Sequence, residues 1–117
     1  MRFSRFLLLC LLILSVAGCT NKKEAKPDAL IEEGKMVKIM TDMHLVETAQ
    51  NLKIIQPDSA NANYLALFES IYKTHQVSKS QFDSSLFYYS GQPEQMNELY
   101  DKVLERLYEL ESEVNAE

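Results

Sequence analysis

The chain has 117 residues and a net charge of −5, and its two cysteines, Cys10 and Cys19, both lie near its start. This length allows one small domain, and this cysteine count excludes a disulfide framework or a multi-cysteine zinc site. An acidic chain with only three glycines also has neither the positive field of a nucleic-acid-binding protein nor a glycine-rich phosphate loop. We therefore expect no nucleic-acid partner.

The first eighteen residues have the order of a bacterial secretory signal. Arg2 and Arg5 precede an apolar run over residues 6–14, which is too short to cross a bilayer as a helix. The following Val16-Ala17-Gly18-Cys19 resembles the lipobox at which lipoprotein signal peptidase cleaves before a lipid-modified cysteine. We predict that residues 1–18 are removed and that Cys19 is lipidated and binds the membrane. An ordinary signal peptide is the alternative, but it would leave Cys19 as an unpaired thiol in an oxidising compartment.

Residues 19–29 form a polar, proline-containing segment without apolar periodicity, which is typical of a tether. We expect it to join the lipidated cysteine to a helical domain over residues 30–117. Thr20, not aspartate, would be the second residue of the mature chain, and by analogy with the enterobacterial sorting rule this favours the outer membrane. The sequence leaves open whether the domain faces the periplasm or the cell surface.

Two helices are predicted in the first half of the domain. The first runs from about Glu33 to Leu52, and residues 53–57 end it because a residue before proline disfavours helix. A second helix, capped by Asp58 or Ser59, extends to about His75.

Two further helices follow. Ser78 and Gln81 have the spacing of a capping box and predict a helix to about Ser90. Gly91 then ends that helix, and Pro93 suits the first turn of the next. No strand-like alternation is present, so the sequence predicts an all-α fold, a compact bundle of three to four helices.

The fourth helix carries apolar residues at alternating spacings of four and three. These are Met96, Tyr100, Val103, Leu107, Leu110 and Val114. Such a seam either closes the protein's own core or recruits a partner helix. We favour the first because so small a domain needs every apolar face it has.

The first predicted helix contains a polar cluster of Asp42, His44 and Glu47. On a regular helix Glu47 falls within about 20° of Met36 in the apolar stripe, whereas Asp42 lies on the far side beside Lys38. Leu45, Ala49 and Leu52 give the helix a second apolar side, as expected of a central helix with neighbours on both faces.

Two hypotheses account for this cluster. In one, Glu47 is buried and hydrogen-bonded to a tyrosine or to His44 as part of a structural network. In the other, His44 and Glu47 bind a small ligand or a metal, with His75 added from a neighbouring helix. Catalytic zinc commonly takes three protein ligands and the chain offers few, so we favour the network and predict no metal and no cofactor.

Six tyrosines stand out in a chain without tryptophan. Tyrosine presents a flat apolar ring with a polar tip, which suits a binding surface. Most of the six, however, fall on the predicted core stripes, so we favour half-buried packing as their role. Tyr88, Tyr89 and Tyr108 are the candidate contact surface if the tyrosines form one.

Several blocks of the sequence occur together in one order. Asp42-Met43-His44-Leu45-Val46-Glu47 is followed by Phe82-Asp83-Ser84-Ser85-Leu86-Phe87-Tyr88-Tyr89, then by Pro93-Glu94 and Tyr100-Asp101. This combination resembles small Bacteroidota lipoproteins built on a helical domain of unknown function, with D-[IM]-H-L-x-E and F-x-x-S-L-x-Y-Y blocks. The resemblance implies the cell envelope as compartment and brings no reaction, ligand or partner.

The sequence favours a non-catalytic protein, since no serine lies in a nucleophile turn and lipidation of Cys19 would leave no thiol. We expect a membrane-anchored lipoprotein whose helical module contacts an envelope protein or polymer. The alternative is a small ligand-binding or metal-assisted hydrolytic domain that uses His44 and Glu47.

Overall fold

The computed structural model describes residues 25–54 and 62–116. These residues form α1 (Glu33–Asn51), α2 (Ala62–Thr74), α3 (Lys79–Ser90) and α4 (Pro93–Asn115). The described ranges contain no strand, and the predicted all-α bundle is confirmed. Cys19, residues 1–18 and the expected cap at Asp58 or Ser59 lie outside the described residues.

The starts of α3 and α4 follow their sequence signals. The Ser78 side chain accepts a hydrogen bond from the Gln81 N–H at 3.1 Å, as a helix cap should. The Gln81 side chain does not complete a capping box, because its Nε2 donates to the Ala29 carbonyl instead. Pro93 occupies the first turn of α4.

Two helices end in a left-handed residue that is not glycine. Lys53 follows α1 with a φ of 56°, and Gln76 follows α2 with a φ of 55°. The N–H of the next residue, Val77, donates a hydrogen bond to the Tyr72 carbonyl, which is the 6→1 bond of a Schellman motif. Gly91, in contrast, has a φ of −74°, so α3 ends without using the freedom of its glycine.

The core is built where α1 packs against α2 and α4, while α3 packs against α4. Its buried apolar residues are Ile31, Met36, Ile39, Met40, Met43, Ile71, Phe82, Tyr89, Leu99 and Val103. On α1 the buried residues end at Met43. The expected second apolar side is wrong, because Leu45 and Leu52 are exposed. A helical wheel gives the direction of a side chain but not how far along α1 its neighbours extend.

The seam on α4 closes the core only in part. Val103 is buried, Met96 and Leu107 pack against the core, and Tyr100 is exposed. Leu99, outside the heptad positions, is fully buried. The buried face of α4 is therefore turned away from Tyr100.

The segment before α1 is fastened to α3. Ile31 is buried, its N–H donates to Ser85 Oγ at 2.9 Å, and its carbonyl accepts from the Tyr89 hydroxyl at 2.9 Å. Gln81 adds its bond to Ala29 one turn earlier on α3. We call these contacts the Ile31 clamp. They fix the point at which the preceding chain enters the domain.

An ion pair joins the beginning of α1 to α4. The Lys102 ammonium contacts the carboxylates of Glu33 and Glu98. These hydrogen bonds, above all the one to Glu33, raise the pKa of Lys102. The Lys102 ammonium therefore stays charged to a higher pH than that of a free lysine.

Candidate functional site

Asp42 forms a polar contact with a residue of another helix. Its Oδ2 lies 2.6 Å from His75 Nε2, and the side chains of His75 and Asp42 are 14% and 44% exposed. The packing of α2 on α1 brings the ring to the carboxylate, because His75 directly follows the last residue of α2. The expected neighbour of Asp42, Lys38, forms no ion pair with it within the described residues. A carboxylate on one ring nitrogen fixes the orientation of the imidazole.

The other two members of the predicted cluster stand apart from this pair. His44 Nδ1 lies 3.8 Å from Glu47 Oε2, and the two side chains are 45% and 49% exposed. Glu47 is thus not buried, and the predicted buried network is wrong at this residue. The reason is again that the buried residues of α1 end at Met43, beyond which Val46 packs against the core but is only partly buried.

The side chains of Asp42, His44, Glu47 and His75 do not form a metal site. Within residues 25–54 and 62–116, no group of three or more His, Cys, Asp or Glu side chains is close enough to hold an ion. The hypothesis that His44, Glu47 and His75 share one metal therefore has no geometric support in this part of the chain.

A cleft of about 380 Å³ opens beside His75, between the beginning of α1 and the end of α2. It is lined by Glu32, Gly34, Lys35, Lys38, Thr74, His75 and Gln76. Its two lysines outnumber the one carboxylate of the lining, that of Glu32. Its chemistry suits a small anion better than a cation.

The three candidate contact tyrosines occupy different environments. Tyr89 is buried and donates to the Ile31 carbonyl, so its assignment to a contact surface is corrected to a core role. Burial raises the pKa of its hydroxyl, and the charge of Glu33 adds to this. Tyr88 is partly buried against the core and its ring meets that of Tyr89 edge to face. Tyr108 is exposed, as a contact residue must be.

Tyr108 belongs to a larger exposed feature of α4. Tyr100, Leu104 and Tyr108 are 43%, 51% and 67% exposed, and their spacing of four places them on one face of the helix. We call these three side chains the apolar row. Sequence reasoning identified Tyr108 but missed Leu104, although the spacing of four from Tyr100 was visible.

An acidic row follows the apolar row along α4. Asp101, Glu105 and Glu109 each come one residue after a member of the apolar row. A shallow, open groove of about 520 Å³ lies on this face of α4. Leu104 and Tyr108 of the apolar row line it, together with the acidic row and Ser112. We call it the α4 groove. Glu109 contacts Arg106 at 2.8 Å, and among the described residues Asp101 and Glu105 form no ion pair.

Sequence reasoning also missed Ser85, which holds the Ile31 clamp. Phe82, Ser85 and Tyr89 are spaced by three and four residues and are the buried face of α3. A small polar residue on the same helix face as two buried aromatic residues indicates a buried hydrogen bond. The pattern does not identify the partner, which here is Ile31, 54 residues away.

Among the described residues, no helix combines the length and hydropathy that crossing a membrane requires. No curated protein and no solved structure matches this chain. Residues 27–113, which include all four helices as far as the last turn of α4, match the family described as "Domain of unknown function (DUF4296)". The chain therefore belongs to this family, the domain of unknown function DUF4296.

Proposed function

We propose that the protein is a lipid-anchored module of the bacterial cell envelope that acts by binding another envelope component. The observation that carries the proposal is the exposed apolar row of α4. Another face of α4 closes the core, so the fold does not require three large apolar side chains to lie exposed in a row on this one. Such a patch is typical of a contact surface.

The lipobox-like motif supports the anchor. A basic start, an apolar run, small residues and then Cys19 stand in the required order. Two or more acyl chains on one cysteine hold a protein stably at a bilayer. The tether would then let the helical domain reach a partner near the membrane, with the outer membrane as the favoured location.

Membrane fractionation tests the anchor. We expect the wild-type protein in the detergent-extracted membrane fraction and Cys19→Ser in the soluble fraction or unprocessed. Detergent-dependent membrane association of Cys19→Ser would contradict lipid anchoring.

Photo-cross-linking in cells tests the contact surface. A photoreactive phenylalanine derivative in place of Tyr108 should give a discrete adduct with another envelope component. The same group in place of Leu65, which is also exposed but lies on α2, is the matched control. Equal adduct patterns at both positions, or none at position 108, would contradict a specific surface on α4.

A second candidate function is the binding of a small anionic ligand. The cleft beside the Asp42 and His75 pair favours it, because Lys35 and Lys38 line a pocket of about 380 Å³. Thermal-shift measurements with carboxylate and phosphate compounds test it. We expect any stabilisation to disappear in Lys38→Ala and to persist in Lys73→Ala, a lysine of α2 outside the cleft.

A further inference from the structure

The chemistry of the α4 groove indicates what kind of partner it accepts. The groove is an open surface of one helix, apolar and aromatic on one side through Leu104 and Tyr108 and acidic on the other through Asp101 and Glu105. Because each acid directly follows an apolar residue, the two rows lie about 100° apart around the helix axis. A matching partner presents an apolar stripe with cations along one side.

The charges on α4 are unevenly neutralised. Lys102 contacts Glu33 and Glu98, and Arg106 contacts Glu109 at 2.8 Å and Glu113 at 3.7 Å. Within the described chain, both cations of α4 are thus already engaged.

Asp101 and Glu105, in contrast, are exposed and form no ion pair within the described chain, since the neighbouring Lys102 and Arg106 contact other carboxylates. They are the carboxylates available to a partner.

A second copy of this chain is disfavoured in the groove. In an antiparallel two-fold contact the acidic rows of the two copies would lie side by side. In a parallel contact the described part of α4 offers the facing acidic row no free cation, because Lys102 and Arg106 are already paired. The whole chain also has a net charge of −5, which adds to the repulsion. An anionic lipid surface is disfavoured for the same reason, because the acidic wall would face negative headgroups.

We infer that the α4 groove binds a cationic amphipathic helix of a partner protein. Its apolar stripe packs on Tyr100, Leu104 and Tyr108, while its lysine or arginine side chains pair with Asp101 and Glu105. The apolar row covers about two helical turns, so about three turns of partner helix suffice to cover it. This inference rests on the proposed function, since it names the partner class of the same surface.

Peptide binding to the full-length protein in detergent tests the inference. The probes are two amphipathic peptides of about 15 residues with the same leucine stripe, one flanked by lysine and arginine and the other by glutamate. We expect the basic peptide to bind with a micromolar Kd, weakening several-fold as salt rises to about 0.5 M, and the acidic peptide not to bind.

Matched variants locate the binding. Leu104→Ala should weaken the basic peptide about tenfold, whereas Phe87→Ala, at an exposed aromatic residue of α3, should leave it unchanged. Glu105→Lys should also weaken binding about tenfold. Glu69→Lys makes the same charge change at an exposed residue of α2 and should have little effect.

Several results would overturn the inference. These are equal affinity for the acidic peptide, absence of binding at about 1 mM, or an equal loss in Glu69→Lys and Glu105→Lys. An adduct of the chain with itself, with lipid or with a glycan at position 108 would overturn it as well.

The cross-linking experiment separates this failure from failure of the proposed function. A discrete protein adduct at position 108 together with no binding of the basic peptide would reject the cationic helix and retain the interaction module. Absence of any adduct at position 108 would reject the module itself.

Discussion

The Ile31 clamp gives the most direct test of how this sequence holds its fold. In Ser85→Ala the Ile31 N–H loses the acceptor that lies 2.9 Å away at a buried position. A buried donor left without a partner costs about 1 to 3 kcal/mol. With a urea m-value of about 2 kcal/mol/M, a loss of about 2 kcal/mol lowers the unfolding midpoint by about 1 M.

Ser84→Ala is the matched control for this prediction. Ser84 donates to the same Gln81 carbonyl as Ser85, at 3.1 Å, but it is exposed, and the Ile31 N–H donates to Ser85 and not to Ser84. We expect Ser84→Ala to change the free energy of unfolding by less than about 0.5 kcal/mol. Urea titration followed by far-ultraviolet circular dichroism measures both variants. Similar midpoints for the two variants would refute the argument that the bond from Ile31 to Ser85 stabilises the domain more than the serine bond to the Gln81 carbonyl does.

Three further predictions concern the core, the polar pair and alkaline pH. Leu99→Ala should lower the free energy of unfolding by about 2 to 5 kcal/mol, because Leu99 is fully buried. Leu104→Ala should change it by less than about 0.5 kcal/mol, because Leu104 is exposed. Equal losses in the two variants would refute this. A double-mutant cycle of Asp42→Asn and His75→Gln should give a coupling of up to about 1 kcal/mol, and additive effects would contradict a direct contact. Because burial raises the pKa of Tyr89 in the folded state, its stabilising contribution is complete below about pH 10 and is lost as pH rises through the folded pKa. Urea midpoints at pH 9 and 11 should therefore diverge less in Tyr89→Phe than in the wild type, and an unchanged difference would contradict the assignment.

Local signals sufficed for much of the fold. Helix α1 begins at Glu33 as predicted, Ser78 caps α3, and Pro93 starts α4. These features depend on residues within a turn of each other, so the sequence carries them directly. The all-α class follows from the same periodicity.

The candidate site depends on contacts that local patterns do not contain. Asp42 and His75 are 33 residues apart, and only the packing of α2 on α1 brings them together. Glu47 has the wheel position of a buried residue but lies beyond the covered part of α1. The lipidation of Cys19 stays a prediction, because that residue lies outside the described ranges.

The position of the Ile31 clamp determines how the domain responds to mechanical tension. A pull on the chain from its amino-terminal side meets first the bond from Gln81 to Ala29 and then Ile31, whose N–H and carbonyl are both bonded to α3. All three bonds of the clamp lead to side chains of α3, so they resist the pull as a group. The tension passes into α3 before it reaches α1, which begins only at Glu33. The contact between Asp42 and His75 therefore bears this tension only after the bonds of the clamp have broken.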